Sequence, residues 1–202
     1  MILLTGSRGL LGKELQKYIS CYCPTHSEMD ITKPETLKGE FEYIIHAAAY
    51  TGVAEAETQK EKCFETNVIG TINLLKAFPN TRFVYISSEY AHNPVNYYSE
   101  TKRAGELAVK ALAKDYLIIR TLFKERPFKY DKAFYDQYTQ GDYVDVITPL
   151  IVQELIKGTR NETIYVGTGR KTMLELAMKT KPLIPACTIR DVKSVKLPHD
   201  YQ

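Results

Sequence analysis

The chain has 202 residues, of which 44% are hydrophobic and 25% are charged, with 11 glycines and 9 prolines. This length suits one ordinary domain, or one domain with a small appendage, and the composition excludes a disordered, collagenous or low-complexity chain. No apolar run approaches the roughly 20 residues that span a bilayer, and residues 1–4 are too short for a signal-peptide core. We therefore expect a cytoplasmic protein with no membrane partner.

Charge and cysteine content exclude two further classes. The formal net charge is +3, and residues 170–202 hold seven Lys and Arg against three Asp and Glu. These charges are scattered along the segment, which favours a solvated surface over a nucleic-acid partner. The four cysteines lack CxxC spacing and clustered histidines. We expect reduced thiols and no metal site.

Apolar periodicity predicts strands alternating with helices over the first 121 residues. Residues 1–4 predict a strand and residues 10–19 a helix, with a glycine-rich turn between them. Further strands are predicted at residues 22–25, 43–49, 82–87 and 116–121, a short helix start at 33–35, and helices at 63–78 and 98–114. The helix at 63–78 carries one apolar stripe, made of Phe64, Val68, Ile72, Leu75 and Phe78. This alternation is typical of an α/β fold, a doubly wound parallel sheet of Rossmann-like architecture.

The pattern weakens after Arg120. Residues 124–142 have no clear period, and beyond them the sequence predicts a helix at 144–155, a strand at 163–166 and a helix at 173–179. We predict a dinucleotide-binding domain over residues 1–122. Residues 123–202 are predicted to form a reduced substrate-binding lobe on the carboxyl edge of the sheet, not an independent domain.

The turn after the first strand has the pattern GxxGxxG. Its members are Gly6, Ser7, Arg8, Gly9, Leu10, Leu11 and Gly12. A first glycine permits a tight turn, a second lets the backbone approach a pyrophosphate, and a third lets helix and strand pack closely. The free N–H groups at the helix start favour an anion. Three glycines can also form a plain turn, but the position between strand and helix favours dinucleotide binding.

The choice between NAD(H) and NADP(H) depends on the residues near the end of the second strand. An acidic residue there would bind the ribose hydroxyls, but the sequence has Thr25, His26 and Ser27, and the nearest acid is Glu28. Arg8 could pair with a 2′-phosphate through its planar guanidinium. NADP(H) is therefore slightly favoured, while Arg8 as a solvated surface cation remains the alternative.

Tyr98 and Lys102 form the one YxxxK pair of the sequence, and Ser88 precedes Tyr98 by ten residues. A spacing of four places the pair on one helical face, after a predicted strand that ends near Ser88. Ketone reduction by hydride needs a proton for the developing alkoxide. Tyr98 could supply it, a nearby Lys102 ammonium could lower the pKa of the phenol, and Ser88 could orient the carbonyl. The alternatives are a helix aromatic, a surface cation and a strand-end cap.

Several segments together resemble the extended short-chain dehydrogenases/reductases, and most closely the dTDP-4-dehydrorhamnose reductase branch of sugar-nucleotide reductases. The matching segments lie at residues 5–12, 29–32, 46–51, 67–68, 70–71, 73–74, 86–90 and 98–102. The resemblance implies that Asp30 and Ile31 border the adenine and that Ala47, Ala48 and Ala49 line the cofactor. It also implies that Ser88, Tyr98 and Lys102 are catalytic, with Tyr98 and Lys102 also contacting the cofactor.

Two departures from this family bear on function. Ala54 replaces an expected aspartate, and the chain is shorter than family members, chiefly after Arg120. The resemblance implies NAD(P)H-dependent reduction of a keto group on a nucleotide-linked sugar, and by analogy a possible homodimer. The alternative is a non-catalytic NAD(P)-binding regulatory or interaction subunit. A dehydratase is less favoured, because the one acid beside Ser88 is Glu89.

Overall fold

The computed structural model describes residues 1–200 and is organised around a five-stranded parallel sheet of order β1-β2-β3-β4-β9. The sheet strands are β1 (Ile2–Thr5), β2 (Tyr43–His46), β3 (Arg82–Ile86), β4 (Tyr116–Arg120) and β9 (Glu162–Tyr165). All four strand pairs are parallel. Four of the five strands are almost continuously apolar, as expected where both faces of a sheet are covered.

Alternate side chains of each strand enter two separate cores. Leu3, Ile44 and Ile118 pack on one face of the sheet, and Leu4, Ile45 and Ile119 pack on the other. The helices that cover these faces are α1 (Leu10–Leu15), α2 (Lys60–Phe64), α3 (Gly70–Ala77), α4 (Tyr97–Leu112) and α5 (Val144–Lys157). The first core contains residues of α3 and α4, and the second contains residues of α1 and α5. The predicted doubly wound α/β fold is confirmed.

The strand predicted at residues 22–25 is reduced to one bridge between Leu3 and Tyr22. The Tyr22 N–H donates to the Ile2 carbonyl at 2.8 Å, and the Leu4 N–H donates to the Tyr22 carbonyl at 3.0 Å. Pro24 follows two residues later and has no N–H with which to continue the ladder. The sequence prediction of a longer strand was wrong for this reason.

The helix predicted at residues 63–78 is interrupted. A π-helical segment (Glu65–Ile69) separates α2 from α3. A π-turn inserts one extra residue and shifts the apolar stripe around the helix axis. As a result Phe64 is 41% exposed, whereas Val68, four residues later, is buried. The predicted single stripe is therefore wrong at its first member.

The segment after residue 122 contributes to both the sheet and a smaller layer. Within it, α5 packs on the sheet and β9 pairs with β4, so both belong to the layers of the sheet domain. Two-residue strands and one helix make up the rest: β5 (Phe123–Lys124), β6 (Ala133–Phe134), β7 (Tyr138–Thr139), β8 (Asp142–Tyr143), β10 (Lys171–Thr172), α6 (Met173–Met178) and β11 (Ala186–Cys187). We call this remainder, residues 123–143 and 166–200, the lobe.

The division predicted at residue 122 stays a prediction, and beyond it the chain returns to the sheet domain at residues 144–165 before it re-enters the lobe. A βαβ unit of β4, α5 and β9 begins before that residue and ends after it, because a parallel strand needs a helical crossover to reach its place. Residues 201 and 202 of the predicted lobe lie outside the described residues. Within residues 1–200, no helix combines the length and apolar character that a bilayer crossing requires.

Candidate functional site

The glycine turn packs tightly against the segment that follows β2. Gly6 has a φ of +70°, and a Cβ there would lie 2.5 Å from the Ala48 N atom. A Cβ on Gly12 would collide with the Gly6 carbonyl oxygen. These contacts bring Ala47 and Ala48 against the turn. The structure thus places the two predicted cofactor segments side by side at the carboxyl edge of the sheet.

Gly9 occupies the exposed tip of this turn. Its N–H donates to the Gly6 carbonyl at 2.9 Å, and it is the N-cap residue of α1. Because Gly9 has no side chain, backbone can approach a ligand here, and the N–H groups of Leu10 and Leu11 open the helix. Ser7 and Leu11 are buried, so they shape the turn from inside. This bare, exposed backbone fits a dinucleotide pyrophosphate.

Arg8 is exposed and lies near Glu28. Hydrogen bonds from Thr25 and, more weakly, the charge of Arg8 lower the pKa of Glu28. An acid and a guanidinium therefore lie together at the edge of the glycine turn. This is the region from which the sequence analysis inferred the choice between NAD(H) and NADP(H). The Glu28 carboxylate already accepts a hydrogen bond from the Thr25 N–H at 2.7 Å, whereas the exposed Arg8 guanidinium can contact a phosphate.

Asp30 and Ile31 lie next to this edge and have contacts of their own. Although burial raises it, the pKa of Asp30 is lowered overall by hydrogen bonds from the Thr32 N–H (3.0 Å) and hydroxyl (2.8 Å). Ile31 packs on Gly70 of α3, where a Cβ would come within 2.7 Å of its side chain. Asp30 therefore stabilises its own turn, and the roles of both residues toward an adenine stay predictions.

Ser88, Tyr98 and Lys102 lie together where β3 ends and α4 begins. Asn96 caps α4, accepting a hydrogen bond from the Ser99 N–H at 2.9 Å, and this places Tyr98 in the first helical turn. Burial raises the pKa of Tyr98 to about 12, against the effect of a hydrogen bond with the Ser88 hydroxyl. The structure therefore brings the predicted hydroxyl pair into contact and keeps the phenol protonated at neutral pH.

The Lys102 ammonium points into the end of β3. Its Nζ donates to the Ile86 carbonyl at 2.8 Å and lies 4.2 Å from the centroid of the Tyr85 ring. Burial lowers the pKa of Lys102 to about 7, opposed by the nearby Glu106 carboxylate. The expected lowering of the Tyr98 pKa by Lys102 was wrong, because burial of the phenol outweighs every favourable contact and raises that pKa.

A buried ion pair supports Lys102 from the next turn of α4. Arg120 at the end of β4 donates to both oxygens of Glu106, from Nε at 2.8 Å and from Nη2 at 2.7 Å. The Ser87 hydroxyl donates to the same carboxylate at 2.7 Å. Glu106 is fully buried. Sequence reasoning missed this pair, although Glu106 follows Lys102 at the helical spacing of four that flagged Tyr98.

His46 at the end of β2 lies in the same region but is a core residue. Its Nδ1 lies 2.7 Å from the Thr5 hydroxyl and its Nε2 3.0 Å from the Thr71 hydroxyl. Burial lowers its pKa to about 3. The ring is neutral at physiological pH and both of its nitrogens have hydrogen-bond partners. Neither nitrogen is therefore available to exchange a proton with a substrate. Within residues 1–200, no cluster of three or more His, Cys, Asp or Glu could hold a metal ion.

Comparison with known proteins decides the family. The model of the family described as "RmlD substrate binding domain" matches residues 1–149. The chain belongs to this family. Among curated proteins, a dTDP-4-dehydrorhamnose reductase of Mycolicibacterium smegmatis is 31% identical over 150 residues, covering 62% of this chain and 46% of that protein. The RmlD-family chain thus spans about half the length of the curated relatives that it matches.

Solved structures support the fold of this RmlD-family chain. A dTDP-4-dehydrorhamnose reductase from Bacillus anthracis, in complex with NADP, superposes with a TM-score of 0.85 at 24% identity, covering 100% of this chain and 88% of that one. An orthologue from Clostridium acetobutylicum gives a TM-score of 0.87 at 22% identity, with 99% and 88% covered. At these identities the likeness concerns the fold, whose Rossmann-like sheet is common to all three chains.

Asn67 is a second residue that sequence reasoning missed in this RmlD-family site. Its side chain accepts from the Tyr50 N–H at 2.8 Å and donates to the Tyr50 carbonyl at 3.2 Å and to the Thr101 hydroxyl at 3.0 Å. It thereby joins the segment after residues 47–49 to α4 beside Lys102. A signal existed, because Asn67 belongs to the matching family segment at residues 67–68, and the π-turn that contains it is of a kind often found at functional sites.

Glu89 connects the sheet domain to the lobe. Its carboxylate accepts from the Thr139 hydroxyl at 2.7 Å and from the Gln140 N–H at 3.1 Å. The residue is buried, and burial raises its pKa. A cavity of about 220 Å³ opens beside it, lined by His92, Thr139, Gln140, Tyr165, Arg170 and Asp200. Both carboxylate oxygens are engaged by the lobe, which makes Glu89 an anchor and disfavours its use as a dehydratase acid.

Proposed function

We propose that this RmlD-family chain is an NAD(P)H-dependent oxidoreductase that reduces a keto group on a nucleotide-activated sugar, as the name dTDP-4-dehydrorhamnose reductase describes for its relatives. One observation carries the proposal. A protonated phenol, Tyr98, lies near the Ser88 hydroxyl at the carboxyl end of a parallel sheet, the same edge that carries a bare glycine turn. Ligands of open α/β sheets bind at this edge.

The cofactor would be held by the glycine turn and the segments around it. The cofactor-binding residues proposed are Gly6, Ser7, Arg8, Gly9, Leu10, Leu11, Gly12, Asp30, Ile31, Ala47, Ala48, Ala49, Tyr98 and Lys102. A bound nicotinamide supplies the hydride. NADP(H) is favoured over NAD(H), because the exposed Arg8 can pair with a 2′-phosphate through its planar fork. The NADP in the Bacillus anthracis structure supports this choice.

Each catalytic side chain has one task in reduction. Tyr98 donates its proton to the alkoxide that develops on the keto oxygen, and a pKa of about 12 keeps that proton in place at neutral pH. Ser88 orients the keto oxygen by a hydrogen bond. Lys102 lies one helical turn from Tyr98 and is proposed to position the cofactor beside the phenol. The lobe would bind the nucleotide-sugar, and a homodimer is the proposed assembly.

The test is oxidation of NADPH in the presence of a dTDP-4-keto-6-deoxy sugar. The wild-type chain is expected to turn over, and Tyr98→Phe is expected to lose about 10²- to 10⁴-fold in rate, the usual share of a general acid. Tyr97→Phe is the matched control, since it removes a hydroxyl from the neighbouring position of the same helix. Unchanged turnover in Tyr98→Phe would remove Tyr98 as the proton donor.

A second candidate is a non-catalytic NAD(P)-binding regulatory subunit. One observation favours it: the Lys102 ammonium is committed to the Ile86 carbonyl at 2.8 Å. This function requires that calorimetry detect dinucleotide binding while no sugar nucleotide supports turnover. The same pair of measurements separates the two functions, because only the reductase consumes NADPH.

A further inference from the structure

Two cysteines face each other in the extended segment beside β1. They flank Tyr22, which forms the single bridge to Leu3. The Sγ atoms of Cys21 and Cys23 are 3.4 Å apart, and both side chains are half-buried against the core that contains α1 and α5. Residues two apart on an extended strand point to the same face, so this proximity follows from the backbone. Neither the fold nor the proposed reduction uses these thiols.

We propose that Cys21 and Cys23 form a redox-active dithiol that closes to an intramolecular disulfide on exposure to a peroxide. The Cys23 thiolate attacks the O–O bond, forming an S–O bond and releasing hydroxide, because burial and the neighbouring thiol raise the pKa of Cys21 to about 12. The second sulfur then attacks that sulfenic acid, forming the S–S bond while the sulfenic oxygen leaves as water with the remaining proton. In total two thiols lose two electrons and two protons, and one peroxide is reduced to two waters.

The backbone around the pair can accommodate the bond. Both ladder hydrogen bonds of this strand are made by Tyr22, through its N–H to Ile2 and its carbonyl to Leu4, and neither is made by the cysteines. The Tyr22 ring stacks on Phe41 on the opposite face, with centroids 5.9 Å apart. The cysteines lie on the face opposite Phe41, so they can approach each other without moving a core side chain across the segment.

The same geometry makes the disulfide reversible. A rise of about 3.3 Å per residue puts the two Cα atoms about 6.6 Å apart, near the upper end of the range of about 4.4–6.8 Å that disulfides span. Closure therefore requires some contraction of the strand, and strained disulfides are the easily reduced ones. We expect a thiol reductant to restore both thiols.

The two remaining cysteines lie elsewhere and provide the comparison. Cys63 is fully buried and contacts the Thr101 hydroxyl at 3.4 Å, within the helical layer around α4. Cys187 lies on the two-residue strand β11 of the lobe. Among the described residues, neither lies within hydrogen-bond distance of another thiol, as Cys21 does of Cys23. Oxidation is therefore expected to be selective for the pair in the extended segment.

The experiment is brief peroxide treatment of the folded chain, followed by trypsin digestion and mass spectrometry. Trypsin releases residues 18–38 as one peptide, because Lys33 precedes Pro34, and it contains Cys21 and Cys23 but not the other two cysteines. We expect this peptide to lose the mass of two hydrogen atoms and to regain it with dithiothreitol. The Cys187→Ser variant should behave in the same way, whereas Cys21→Ser and Cys23→Ser should lose the transition.

Phenylarsine oxide tests the proximity of the thiols independently. Its arsenic forms two bonds to sulfur and releases one water, so it is retained by paired thiols and not by separate ones. One equivalent is expected to bind the wild-type chain and the Cys187→Ser variant, but neither Cys21→Ser nor Cys23→Ser. The proposal is overturned if peroxide leaves both thiols in residues 18–38 free, oxidises them separately to sulfinic acids, or links them between chains.

Discussion

The sheet domain and the lobe are stabilised in different ways. In the sheet domain, strands of four or five residues share a continuous parallel ladder, and two apolar cores cover its faces. In the lobe, strands of two residues pair in three separate sets. A small apolar cluster that includes Phe128, Met173 and Leu176 supports the lobe, and buried polar contacts add to it: Glu89 binds Thr139, and Asp142 binds Lys179 at 2.6 Å. A single polar substitution in the lobe should therefore destabilise only its surroundings. One in the sheet domain should lower the free energy of unfolding of that whole domain.

The largest effect is expected from the buried ion pair of the sheet domain. Arg120→Met leaves the Glu106 carboxylate buried without its bidentate partner, which typically costs about 3–5 kcal/mol. The control is Arg103→Met, which removes a 40%-exposed partner, 3.2 Å away, from the same carboxylate. That exposed contact is worth at most about 1 kcal/mol. Urea unfolding at pH 7 measures both free energies.

The same ion pair predicts a pH dependence. Hydrogen bonds from Arg120 and Ser87 overcome the effect of burial and lower the pKa of Glu106 in the folded chain. The wild type should therefore keep this stabilisation above the unfolded carboxyl pKa of about 4.3 and lose it at lower pH. In Arg120→Met, burial alone raises the pKa of Glu106, so its deficit should shrink between pH 7 and pH 5. A constant deficit over that range would contradict the assignment.

The glycine turn tests the proposed cofactor site within the sheet domain. Gly12→Ala places a Cβ against the Gly6 carbonyl, and overpacking of this kind costs about 1–3 kcal/mol even though alanine favours a helix. We expect NADPH affinity, measured by calorimetry, to fall at least tenfold because the turn must open. Gly169→Ala in the lobe is the control, since a Cβ there meets nothing within 4 Å. Equal affinity in both variants would place the dinucleotide elsewhere.

Lys102 predicts a smaller, pH-dependent effect. Its folded pKa of about 7 is lower than its unfolded value of about 10.4, so the unfolded chain binds more protons between these limits. Stability should therefore rise with pH, by about 1–3 kcal/mol from pH 7 to pH 9. Lys102→Met should flatten this rise in urea unfolding. An identical slope in the variant would mean that another group is responsible.

Sequence reasoning predicted the strands and helices whose apolar residues are spaced for burial in the core. The strands beginning near residues 43, 82 and 116 and the helix α4 lie where apolar spacing predicts them, because both faces of the sheet must be covered. It failed at Phe64, where an inserted π-turn rotates the stripe, and at residues 22–25, where Pro24 ends the ladder. In the lobe, side-chain hydrogen bonds rather than a repeating apolar pattern fix the two-residue strands. A sequence gives little indication of such contacts.

The candidate site was predicted in its composition but not in its electrostatics. Spacing and order located Ser88, Tyr98 and Lys102, since they follow a strand end and share a helix face. The direction of the Tyr98 pKa shift depends on how much protein surrounds the phenol, and that is a property of the folded chain. The supporting contacts of Asn67 and Glu106 join residues 17 and 14 positions apart, beyond the reach of any local pattern.

The most local effect is expected where the two regions meet, at Glu89. Glu89→Gln keeps one acceptor oxygen and replaces the other with a donor, which cannot accept from both Thr139 and Gln140. A lost buried hydrogen bond costs about 1–3 kcal/mol. Because the lobe has only two-residue ladders to absorb this loss, amide exchange should accelerate at residues 138–143 while β3 and β4 remain protected. The exposed helix cap Glu175→Gln is the control. Equal acceleration of amide exchange throughout the sheet would mean that the lobe and the sheet unfold as one unit. The two regions would then differ in sequence pattern but not in how they are stabilised.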